Sequence, residues 1–228
     1  MSNEAEITMD EARDLVSNQM LWPLVRDFLW DFVPQVHRSW FESLEFGKFE
    51  GLMGEKKLAG VSSSQTFKWF ILAQLGIEPC FYSFPRNDWS RLLLLDGSTL
   101  ESVAKWIGAL ACVDELRRVT DGAAVRELKA SLSGVYPEVF GYTMYFKGMD
   151  FQRGDEMQKG IEGIASIGFD ALSSLLADVP SSLVARLKFK LPKKLCDSAT
   201  LRFKAQTCDK VVAKLLKLKF PEAHKLCC

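Results

Sequence analysis

A chain of 228 residues, 48% apolar and 25% charged, is long enough to close one sizeable core or two small ones and too apolar to remain unfolded. Its 29 lysines and arginines balance 29 aspartates and glutamates, which excludes a field of one sign steering the whole molecule toward nucleic acid. The opening MSNEAEITMDEARD is acidic where a secretory leader is basic and then apolar, and no apolar run approaches the roughly 18 residues of a bilayer span, so a cytoplasmic protein without a transmembrane segment is expected.

Helix punctuation runs through the chain. Thr8 and Glu11 form a capping box ahead of EARDLVSNQM, and Pro23 and Pro34 stand in the first turns of PLVRDFLWDF and PQVHRSWFESLEF. Residues 47–64, with four glycines and three serines, read as a connection between an N-terminal helical section, 1–46, and a main helical domain, 65–228, although the whole can equally close as one domain. Ser62 and Gln65 cap SQTFKWFILAQL, which Gly76 ends; Asn87 or Asp88 caps WSRLLLLD; Ser98 and Glu101 cap TLESVAKWIGALACVDELRRV. A helix from Gly122 to Leu132 stops at Gly134, and YPEVFGYTMYF, with Pro137 at its start, reads as a buried short helix in preference to a strand. Residues 155–179 form a helix with acidic residues in its first turn, where Gly160, Gly163 and Gly168 each cost roughly 1 kcal/mol of propensity that close helix packing would offset. In SSLVARLKFKLP the alternation of Leu187, Phe189 and Leu191 with Lys188 and Lys190 has the strand period, predicting a short strand or extended segment near 186–191. The last helix runs from about Ala199 to Phe220, where Pro221 ends it. The fold class is therefore all-α, a multi-helix assembly with at most that one extended piece.

Residues that carry chemistry are sparse. GLMGEKK has the wrong spacing for a phosphate cradle, and GIEGIASIG lies inside a helical pattern instead of following a strand. His37, among bulky helix neighbours, reads as a packed or surface histidine, and neither it nor His224 accompanies a nucleophile motif. Asp114 and Glu115 are adjacent and point different ways on a helix. Cys80, Cys112, Cys196, Cys208, Cys227 and Cys228 are scattered, as free thiols of a reducing compartment are; His224, Cys227 and Cys228 could offer soft ligands, but no second pair completes a zinc set. No catalytic, cofactor-binding or metal residue is assigned, and the protein is expected not to be an enzyme.

The balanced total hides an asymmetry. From Leu183 to Cys228 there are 12 basic and 3 acidic residues, which leaves a net of −9 on the preceding 182. On a helical wheel Leu201, Ala205, Cys208, Val212 and Leu215 share one face, with Lys210, Lys214 and Lys217 roughly opposite. A basic stripe of this kind can simply be solvated, or can meet an acidic protein surface; the alternative is a basic-helix module for nucleic acid or an anionic membrane. The protein-partner reading assigns the contact to Lys188, Lys190, Lys193, Lys194, Lys210, Lys214 and Lys217.

VARLKFKLP, followed after a polar gap by AQTCDKVVAKLLKLKFPEAHKLCC, resembles the C-terminal region of the SctK family of type III secretion accessory proteins, which includes YscK, PscK, MxiK and OrgA. The positions that carry the resemblance are Arg186, Leu187, Leu191, Pro192, Cys208, Lys210, Pro221, His224 and Leu226. RLLLLDGSTLESVAKWIGALACVDELRRVTDGAAVRELKASL is similar in character, while the stretch with Trp22, Trp30 and Trp40 shows no match. The resemblance implies a mainly helical, non-catalytic adaptor without cofactors, peripheral at the cytoplasmic face of the bacterial inner membrane. Such an adaptor would link the inner-membrane ring protein SctD to the pod protein SctQ, in a complex that also holds the stator SctL and the ATPase SctN.

Overall fold

The computed structural model describes residues 21–43, 65–78, 80, 82–86, 88–146, 161–197 and 205–227. The capping box at Thr8 and Glu11, the 47–64 connection, Asn87, Gly160 with the acidic turn before it, Leu201 and Cys228 lie outside these residues. Among the described residues there is no strand. The helices are α1 (Leu21–Leu29), α2 (Arg38–Ser43), α3 (Gln65–Gln74), α4 (Gly97–Ala111), α5 (Val113–Arg118), α6 (Gly122–Ser131), α7 (Val139–Tyr142), α8 (Ile161–Leu175), α9 (Ser181–Lys190), α10 (Lys193–Asp197), α11 (Ala205–Lys219) and α12 (Pro221–Cys227). Short 3-10 helices occupy Val33–Gln35, Trp89–Leu94 and Thr143–Phe146. The chain groups into two compact units, and α9 returns to the first after the chain has already entered the second.

The first unit comprises the described residues up to Asp96, together with Val179–Pro192 and Cys227. Helix α1 turns Leu21, Val25, Phe28 and Leu29 inward, the spacing of one helical face. Phe28 meets Phe32 and Phe84 edge-on, with ring centroids 5.6 and 5.7 Å away, the arrangement that aromatic quadrupoles favour. Helix α3 stops at Gly76, whose φ of +66° lets Ile77 N donate to Leu72 O at 2.8 Å and Gly76 N to Ala73 O at 3.0 Å, closing a Schellman turn. Asp88 supplies the cap expected at 87 or 88, accepting from Ser90 N at 2.6 Å, but the leucine run after it winds as a 3-10 helix.

The expected extended segment at 186–191 is instead the end of α9 and the residue after it. Leu183, Arg186, Leu187 and Lys190 are the buried positions, and intervals of three, one and three residues are helical. The alternation was misleading because it took Lys188 and Lys190 as one outward-facing pair; Lys188 is exposed, whereas Lys190 and Arg186 point in.

The second unit comprises the described residues of 97–178 and 193–226. Its centre is the pair α4 and α8. A Cβ added to Gly108 would lie 1.7 Å from the Ile164 carbonyl oxygen, and one added to Gly168 would lie 1.8 Å from that of Ala104. The reciprocal pairing, 108 with 164 and 104 with 168, means that the helices run antiparallel with their backbones in contact. Gly168 thus has the close packing that its low propensity anticipated. The long helix expected after Ser98 starts at Gly97 and divides at Cys112 into α4 and α5, while Asp121 Oδ2 caps α6 by accepting from Ala124 N at 2.8 Å. YPEVFGYTMYF is a short helix followed by a 3-10 turn. Helix α11 ends before Pro221 as expected, and the chain then continues as α12, with Pro221 at the first position where its missing N–H costs nothing.

Candidate interaction surfaces

The basic C-terminal stretch is divided between the units, and its charges do three different jobs. In the first unit the heads of two cations are spent on backbone carbonyls. Arg186, fully buried, donates from Nη1 to Phe28 O at 2.5 Å and Leu29 O at 3.1 Å, and from Nη2 to Glu78 O at 3.2 Å. Phe28 and Leu29 end α1, where carbonyls lack intrahelical partners and the helix dipole favours a cation. The guanidinium also lies 5.4 Å from the centroids of Phe28 and Phe32, so an aromatic face covers the charge that burial strips of water. Burial lowers its pKa, yet an arginine remains protonated.

Lys190, 2% exposed, donates to Leu93 O at 2.6 Å and Leu95 O at 2.7 Å and packs 4.9 Å from the Phe28 centroid. Burial pulls its pKa down to about 7; Arg186 acts in the same direction and Asp96 opposes it. Of the seven lysines assigned to partner contact, Lys190 is therefore corrected: it closes the carbonyls of the 3-10 helix at Trp89–Leu94 and does not face outward. Lys188, one turn-step away, is exposed, and its carbonyl accepts from Trp40 Nε1 at 3.2 Å.

In the second unit Lys194, Lys210 and Lys217 are exposed, and Lys193 and Lys214 are half-buried. Cys208, Val211, Val212, Leu215 and Leu216 form the inward face of α11, which keeps the predicted division of that helix. Burial pushes the Cys208 thiol up to about 11, the condition of an unreactive packed cysteine. Lys214 is only partly a surface charge. Its ammonium donates to Tyr145 O and lies 5.7 Å from the Phe146 centroid, tying the Thr143–Phe146 turn to α11.

Lys219, which the sequence reading did not single out, carries the third job. It pairs with Glu138 at 2.5 Å and lies 4.8 Å from the Trp106 centroid and 4.5 Å from that of Tyr142. The hydrogen bond with Glu138 raises its pKa despite some burial. Two signals were available in retrospect: Glu138 ahead of an aromatic run, and a lysine at the last turn of an amphipathic helix. Neither shows that they meet across 81 residues.

The remaining candidates are structural. His37 Nδ1 pairs with Ser39 Oγ at 2.9 Å, and the His37 amide donates to Phe189 O at 2.7 Å. Among the described residues no three His, Cys, Asp or Glu side chains gather in the manner of a metal site, and no helix is long and apolar enough to cross a membrane.

Helix packing and internal carbonyl clamps define a mainly helical protein whose α11 carries exposed lysines. The model of one family, YOP proteins translocation protein K (YscK), matches residues 53–228. The chain belongs to the YscK family and is a type III secretion system protein. No curated protein and no solved structure matches it.

Proposed function

We propose that this protein is a non-catalytic adaptor of the type III secretion sorting platform, linking the inner-membrane ring protein SctD to the pod protein SctQ and through it working alongside the stator SctL and the ATPase SctN. The observation that carries the reading is the family match over 53–228. Two features support it. The residues after Leu183 are basic and those before are acidic, so the chain offers surfaces of opposite character to two neighbours. Charged side chains are used as packing clamps and surface pairs, and Lys210 and Lys217, exposed on α11, suit an acidic protein surface. The working location on this reading is the cytoplasmic face of the inner membrane.

The test is co-purification of the tagged full chain from cells that carry the secretion system, with mass identification of what accompanies it. Wild type is expected to bring down SctQ-like and SctD-like components. Lys210→Glu with Lys217→Glu should lower recovery of one of them by about tenfold, the range for charged contacts at an interface, while the helical circular-dichroism signal stays unchanged. Absence of any secretion component from the wild-type sample would overturn the assignment.

A further inference from the structure

Three of the described residues that are large, apolar and exposed belong to the second unit: Met144 at 74%, Tyr145 at 46% and Leu218 at 39%. They are not scattered. Lys214 donates to Tyr145 O, which fixes the Thr143–Phe146 turn beside α11, and Leu218 follows Lys214 by one helical turn. The Tyr145 ring lies 6.0 Å from Tyr142, and Tyr142 lies under the ammonium of Lys219, the residue after Leu218. Successive contacts thus join the turn to the last two turns of α11.

Lys210, Lys214, Lys217 and Leu218 are spaced by four, three and one residues, which puts them on one side of the helix. Lys214 is committed to Tyr145. Lys210 and Lys217 are exposed and form no ion pair with a described residue, whereas Lys219 is neutralised by Glu138 and Lys225 by Glu222. Asp209 and Glu222 are the acidic residues of α11 and α12, so the side around Lys210 and Lys217 is predominantly cationic, with exposed Leu218 next to Lys217. Lys217 follows Lys210 at an offset of seven, about 10.5 Å along the axis at roughly 1.5 Å per residue.

We propose that Met144, Tyr145 and Leu218 together with Lys210 and Lys217 form one docking surface for an acidic amphipathic helix of a partner protein. The partner's apolar stripe covers the exposed trio, and carboxylates two turns apart reach the two lysines, since a helix repeats its own face at the same interval. This goes further than the adaptor reading on which it rests: recognition requires an apolar stripe in register with the acids, and acidic charge alone is not enough.

The probe is a fluorescently labelled 18-residue peptide of leucine, glutamate, alanine and glutamine, with leucines on one helical face and glutamates at its borders, titrated into the full chain and read by anisotropy. A shuffled peptide of identical composition serves as comparison. The expected result is saturable binding of the patterned peptide, at least about tenfold weaker for the shuffled one, and about a tenfold loss both in Met144→Ser with Leu218→Ser and in Lys210→Glu with Lys217→Glu, as for anchor residues at an interface. Met144→Ser alone, at the most exposed position, gives the same test should the serine pair fail to fold. Equal binding of the two peptides, insensitivity to the apolar substitutions, or no saturable binding overturns the surface.

Two other occupants are separated in the same series. Binding to phosphatidylcholine–phosphatidylglycerol vesicles that the serine pair abolishes would give the surface to a membrane, and a sedimentation shift toward monomer in that variant would give it to a second copy; either overturns the proposal. If the lysine reversals lower recovery of a secretion component and the serine pair does not, the helix-docking inference fails while the adaptor reading stands.

Discussion

Lys190 holds an ammonium against two carbonyls and an aromatic face with almost no water, an arrangement in which protonation and burial oppose each other. Its pKa is about 7 in the folded chain against 10.5 for the ordinary side chain. Above pH 7 the unfolded chain therefore binds a proton that the folded chain has released, and linkage makes stability rise with pH through that window. Cys208 works the other way only above about pH 9, because its folded pKa, about 11, is raised from 9.0. Between pH 7 and 9 the urea midpoint of wild type should therefore climb relative to that of Lys190→Met. Parallel midpoints across the two pH values would show that the lysine does not titrate there. The substitution also leaves Leu93 O and Leu95 O without their donor, so at pH 9, where the lysine is mostly neutral and still donates, the variant should be less stable than wild type by about 1–3 kcal/mol.

At the level of helices, the antiparallel contact of α4 and α8 tolerates no side chain at two positions. Adding one methyl at Gly108 or Gly168 puts it within bonding distance of a carbonyl oxygen on the facing helix, so the pair must separate. Overpacking of a core by a methylene costs about 1–3 kcal/mol, occasionally more, which outweighs the gain of roughly 1 kcal/mol that alanine brings over glycine in a helix. Gly108→Ala and Gly168→Ala are expected to lower urea stability by about 2 kcal/mol or more, whereas Gly122→Ala, with open space around it, should stay within about 0.5 kcal/mol of wild type. Equal midpoints for all three would disprove the close crossing. How much of this was readable beforehand follows from where the information sits. Helix α11 was legible because Cys208, Val212 and Leu215 recur at a single period opposite lysines, and the stop at Pro221 is local chemistry. The leucine run at 92–95 has no period at all, so its 3-10 winding left no trace. Helix α9 was lost because two of its inward residues are cations, and what makes them inward-facing, the carbonyls of Phe28, Leu29, Leu93 and Leu95, lies about a hundred residues or more away. For the candidate surface the same limit holds. Exposed Lys210 and Lys217 follow from the wheel, but the diversion of Lys214 to Tyr145 and of Lys219 to Glu138 depends on long-range packing.

For the molecule as a whole, the return of α9 makes the first unit discontinuous in sequence, and the size of what α9 contributes decides whether the earlier residues can stand without it. Leu183, Leu187 and Leu191 are fully buried. Burying such a side chain is worth about 1.5–3 kcal/mol, so three give roughly 5–9 kcal/mol, an upper estimate that equals the lower part of the roughly 5–15 kcal/mol by which a domain is stable. Without α9, the carbonyls of Phe28, Leu29, Glu78, Leu93 and Leu95 also lose the donors of Arg186 and Lys190. A fragment ending at Asp96 should therefore lack cooperative unfolding. A synthetic peptide of residues 179–192 should restore it, because that segment carries the missing face and both cations. Trp40 reports the event directly: its Nε1 donates to Leu191 O at 2.8 Å and its ring meets Phe189 at 4.8 Å, so emission of the fragment should change saturably as the peptide is added. The same peptide with Arg186→Met and Lys190→Met should bind more weakly, since it keeps the apolar face and leaves five carbonyls without donors. Cooperative unfolding of the fragment alone would mean that α9 is an addition to a finished unit; absence of any response to the peptide would mean that the face it covers does not form until the rest of the chain is present.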